Sequence, residues 1–144
     1  MIESDTIKLL RECDLGIKMG VSAISEVEDY VKNEDFKSLL TECKNEHNTL
    51  KKEIEELLEK YQDEGKNPNP MIKGMSFMKT NMKLMMKESD TTIADLITDG
   101  CNMGVKSLNR YLNQYKAADE YTKDIAKRLI NLEEKLTIQI RTYL

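Results

Sequence analysis

The sequence predicts an all-helical bundle made of two repeated helical hairpins joined by a helical crossover. Three observations carry that expectation. Apolar residues recur every three or four positions along almost the whole of the 144 residues, with no run of strict alternation, which is the period of helices and not of strands. One clear break, Gly65 to Pro70, holds two prolines and two asparagines and separates two helical stretches. Motifs that open the first stretch return in the second.

The first helix is expected from Ser4 or Asp5, both good N-caps, to about Val31, with Ile7, Leu10, Ile17, Val21, Ile24 and Val31 on one stripe. Asn33 caps the second, which carries Phe36, Leu40, Cys43, His47, Leu50, Ile54, Leu57 and Tyr61 at heptad spacing and ends at Gly65. So short a connection makes an antiparallel hairpin. Asn69 as cap and Pro70 at the first helical position begin a third helix, the crossover, over about 70–87. Ser89 or Asp90 caps a fourth helix to about Lys116, and a fifth runs from Asp119 or Thr122 to Tyr143, burying Ile125, Leu129, Leu132, Leu136 and Ile140. Hairpin 1 thus covers about 4–65 and hairpin 2 about 89–144, within a single domain, 1–144.

The repeat is specific in its order. Glu3-Ser4-Asp5-Thr6 returns as Glu88-Ser89-Asp90-Thr91, and Cys13-x-x-Gly16-Ile17-Lys18 as Cys101-x-x-Gly104-Val105-Lys106. The second match falls about three residues later than the first, which predicts one extra helical turn near Asp95 to Asp99. Two hairpins that each expose an apolar stripe bury it best against each other, as a four-helix bundle. Gly16, Gly20, Gly100 and Gly104 each weaken a helix by about 1 kcal/mol relative to Ala; the expected return is close helix approach, with Gly16 and Gly104 facing each other across a pseudo-two-fold axis.

Composition narrows the function classes. The net charge of -4 and pI near 5.2, with no dense basic cluster, argue against a nucleic-acid partner. No apolar run approaches the roughly 20 residues that span a bilayer. MIESDTIKLL puts two acidic residues ahead of its first apolar cluster, unlike a signal peptide, so the expected location is cytoplasmic. Cys13, Cys43 and Cys101 are odd in number and lack CxxC spacing, which points to reduced, buried thiols. There is no Gly-rich phosphate loop and no nucleophile elbow.

With a short loop, a long crossover and another short loop, the chain resembles the ferritin-like superfamily, and within it an uncharacterised bacterial branch with no assigned activity. The resemblance covers nearly the whole length. It implies a ferritin-like four-helix bundle and, in active members, two metals held by a carboxylate from each of two helices and Glu-x-x-His from each of the other two. Here the only histidine, His47, has Lys44 three residues before it, and the matching residues of the repeat are Glu133 and Leu136. Asp14 and Glu28 on the first helix match Asn102 and Lys116. The di-iron motif is therefore not intact. Asp14, Glu28, His47 and Glu133 are the candidate donors if iron or another divalent metal binds at all, and no cofactor is expected. The competing expectation is a buried hydrogen bond between Asp14 and His47, or a partly solvated His47, since both lie within about one turn of each other, roughly 4.5 Å along the hairpin axis.

Six of the nine methionines fall between residues 71 and 86, and Met71, Met75, Met78, Met82 and Met85 step by four, three, four and three. That spacing makes one helical stripe. It serves either as packing across the bundle or as an adaptable contact surface. The expected function is non-catalytic, through protein association, with a homo-oligomer, a dimer above all, as the expected assembly. The alternative is a metal-binding protein or di-iron-type oxidoreductase with a degenerate site.

Overall fold

The computed structural model describes residues 4–68 and 89–144. They form four α-helices, α1 (Asp5–Val27), α2 (Glu34–Lys60), α3 (Asp90–Gln114) and α4 (Glu120–Gln139), with single 3-10 turns at Glu28–Tyr30 and Ile140–Tyr143. No strand occurs among the described residues, and no helix there is long and apolar enough to cross a membrane. The expected crossover helix and its methionine stripe, Met71 to Met85, lie outside the described residues.

Each helix begins where a polar side chain can take an otherwise unpaired amide. Ser4 Oγ accepts from the Ile7 amide at 3.2 Å, Asn33 Oδ1 from Phe36 at 3.0 Å, Ser89 Oγ from Thr92 at 3.2 Å and Asp119 Oδ1 from Thr122 at 2.8 Å. The ends differ from expectation. α1 stops at Val27, and its last turn tightens into the 3-10 form before Val31 becomes extended. α2 stops at Lys60, ahead of Gly65, because Gln62 adopts the left-handed conformation (φ 56°). The Gln62 and Asp63 amides then bond back to the Glu59 and Leu58 carbonyls at 3.0 and 2.8 Å, closing a Schellman motif on a residue other than glycine.

Gly65 (φ 77°) makes a second left-handed turn and sends the chain back along α1. Asp63 forms a bidentate pair with Arg11, the Lys66 ammonium meets Glu12 at 2.7 Å, and Asn67 accepts from Lys18 at 2.8 Å. A methyl group at Gly65 would overlap the Asp14 carboxylate. Backbone sign and space therefore both demand glycine here.

Hydrogen bonds between the hairpins fix the topology. The Asp90 carboxylate, at the start of α3, accepts from the Lys32 and Asn33 amides in the α1–α2 loop, each at 2.9 Å. Asp5, at the start of α1, accepts from Ala117 in the α3–α4 loop at 2.9 Å, and Thr6 Oγ1 from Asp119, also at 2.9 Å. Hence α1 and α3 are antiparallel, α2 and α3 run the same way, and each hairpin's first helix finishes the other hairpin's loop.

From cap to cap the hairpins are nearly equal, 29 residues from Ser4 to Asn33 and 30 from Ser89 to Asp119. The extra turn expected near Asp95 to Asp99 is absent between these caps. Gly16 and Gly104 do not face each other either. Both look toward α4, Gly16 onto Leu129 and Gly104 onto Glu133.

Candidate functional site

The core forms two clusters, one built around Leu10, Ile17, Ile54, Leu108 and Leu129, the other around Ile24, Phe36, Leu40, Ile97 and Leu136. On every helix the sequence changes character between them. Gly20 intervenes on α1, His47 on α2, Gly104 on α3 and Glu133 on α4. This polar waist at mid-height is the candidate site.

His47 is 3% exposed. Its Nδ1 lies 2.8 Å from the Cys43 carbonyl and 3.5 Å from Cys43 Sγ, so Nδ1–H donates to the carbonyl one turn back and Nε2 is left as the acceptor. The ring rests on the Gly20 backbone, where a β-carbon would stand 3.1 Å from Nε2. Burial lowers the imidazole pKa and outweighs that backbone hydrogen bond, keeping the ring neutral.

Glu133 is 6% exposed and has a different fate. Its carboxyl group lies against the α3 backbone at Gly104, close enough that a β-carbon there would stand 2.9 Å from Oε1 and would overlap Oε2. Oε2 is buried without a hydrogen-bond partner. Burial alone pushes the acid up to about 8, so at neutral pH the group keeps its proton. The thiols of Cys43 on α2 and Cys101 on α3 feel its charge once that proton is lost. Burial first, and then the carboxylates of Glu46 and Glu133, push Cys43 up to about 12; burial, Glu133 and Cys43 raise Cys101 as well. Neither thiol is a nucleophile at neutral pH. All three cysteines are free and buried, as their spacing predicted.

The candidate donors are not drawn together. Asp14, 1% exposed, does not reach His47; it accepts from Lys18 Nζ at 2.7 Å and from the Lys66 amide at 3.0 Å, because the chain after α2 folds back onto that side of α1. Glu28 sits in the 3-10 turn, 2.6 Å from Lys44 Nζ. Asp14 and Glu28 are about 20 Å apart along α1 at 1.5 Å per residue. Among the described residues no three His, Cys, Asp or Glu side chains could share one metal ion. The methionine contact surface falls outside those residues.

The caps also give each hairpin a common starting point for counting. His47 and Glu133 are each fourteenth after their caps, Asn33 and Asp119, whereas the sequence match paired His47 with Leu136. Gly20 is sixteenth after Ser4 and Gly104 fifteenth after Ser89. Each hairpin therefore sets one buried titratable side chain on its second helix against a glycine on its first. Gly20 had a close helix approach in the sequence reading but no partner; counting from the caps would have pointed to His47. No family model, curated protein or solved structure matches this chain.

Proposed function

We propose that the protein is a non-catalytic, ferritin-like bundle of duplicated hairpins that acts by association, first of all with a second copy of itself. The observation that carries the association is exposure of Met103 (66%) on α3 and Met19 (43%) on α1, two helices packed side by side. Each methionine immediately precedes its waist glycine, and Gly100, one turn before Met103 and Gly104, has open space where a side chain would stand. Flexible thioether side chains beside bare backbone suit close approach by another apolar surface. Parallel α2 and α3, the connectivity of bundles with one long crossover, support the ferritin-like part. The reciprocal contacts of Asp5 and Asp90 support duplication.

Light scattering on the eluting protein tests the reading. A dimer is expected, with Met103→Glu shifting it to monomer while helical circular dichroism stays unchanged. A strict monomer at the highest concentration reached sinks it.

A further inference from the structure

The Glu133 carboxyl has one position in the fold and no partner there. It is clamped between its own helix and the Gly104 backbone of α3, with one oxygen unbonded. The titratable groups coupled to its charge are the Cys43 thiol on α2 and the Cys101 thiol on α3. No charged group on α1, or on α4 itself, influences its acidity, which burial alone governs. Lys135, two residues on, instead lies 3.8 Å from Glu46 in a groove on the α2–α4 face that Cys43 also lines. A buried carboxylate without cation or donor is among the costliest groups a core can hold, whereas the neutral acid is tolerated.

We propose that the Glu133–Gly104 contact is a proton-operated latch: the protonated carboxyl keeps α4 seated on α3 at mid-height, and loss of its proton to solvent drives the side chain toward water, loosening that seam and exposing the Cys43 and Cys101 thiols. The latch differs from general alkaline unfolding in being local. Cys13, in the other core cluster, remains covered.

The test is alkylation of the full chain by N-ethylmaleimide at pH 7 and pH 9, with the three cysteines read separately by peptide mass spectrometry, in wild type and Glu133→Gln. Thiolate chemistry speeds labelling in both proteins. Latch opening adds to this only in wild type, by about tenfold at Cys43 and Cys101 between pH 7 and pH 9, since the ionised fraction rises from about a tenth one pH unit below the midpoint to about nine-tenths one unit above it. Identical profiles in the two proteins overturn the latch, and so does equal acceleration at Cys13. If Glu133→Gln fails to fold, the wild-type Gly104 amide resonance decides: a chemical-shift titration centred near pH 8 supports the latch, and a flat trace from pH 6 to 9.5 overturns it.

Discussion

His47 and Glu133 stand at the same distance from their caps, each against a glycine of the neighbouring helix, yet only one of them is satisfied there. The imidazole has a donor that reaches the Cys43 carbonyl on its own helix, so its hydrogen bond comes with the secondary structure. The carboxyl of Glu133 has no such local partner, and it stays buried by holding a proton. Two side chains in equivalent places thus stay neutral through shifts of opposite sign, burial lowering the imidazole pKa and raising that of the carboxyl.

Their pH responses should oppose each other. Folded Glu133 keeps its proton up to about pH 8, while the unfolded chain releases it near 4.5. Stability therefore falls as pH rises across that window, by at most roughly 5 kcal/mol for one fully coupled group. For His47 the folded pKa lies below the ordinary 6.5, so the unfolded chain takes up protons first and stability falls as pH drops beneath 6.5. Denaturant titrations at pH 5, 7 and 9 should show Glu133→Gln abolishing the alkaline loss and leaving the acid one. An alkaline slope that survives the substitution would disconnect Glu133 from it.

The glycines separate the two notches on a smaller scale. In Gly104→Ala the new methyl group meets the carboxyl directly and should cost about 2 kcal/mol through overpacking. In Gly20→Ala it meets only the flank of the imidazole, at 3.1 Å, and the gain of about 1 kcal/mol in helix propensity should leave stability close to unchanged. Thermal unfolding of the two variants checks the order. Glu133→Ala should relieve Gly104→Ala in the double variant, and additivity would deny the contact.

At the bundle ends the difference should be smaller again. Asp90 accepts from two loop amides and Asp5 from one, so Asp90→Ala should lose about 2 kcal/mol and Asp5→Ala about 1, the usual scale of hydrogen bonds to a charged group. Equal losses in urea titrations would show that the second amide adds nothing.

Much of this architecture could be read from the chain because it is local. Ser4, Asn33, Ser89 and Asp119 cap helices through residues three positions ahead, a distance at which sequence speaks directly. What escaped was set by distant partners. Asp14 was expected to bond His47, but its amide donor at Lys66 arrives only because Gln62 and Gly65 turn the chain twice. Likewise the match between the repeats set His47 beside Leu136, whereas counting from the caps sets it beside Glu133, one turn away. Glu133 was picked out as a metal donor; in the fold its carboxyl lies against the Gly104 backbone, a contact that only the packing of α4 on α3 creates.

The exchanged contacts of Asp5 and Asp90 bear on how the chain comes together. Neither loop is completed within its own half: Lys32 and Asn33 wait for Asp90, and Ala117 waits for Asp5. A hairpin formed early therefore carries bare loop amides as well as an uncovered apolar stripe, and both defects disappear in the same docking event. Such mutual completion couples the stability of the two halves and favours their folding as one cooperative unit.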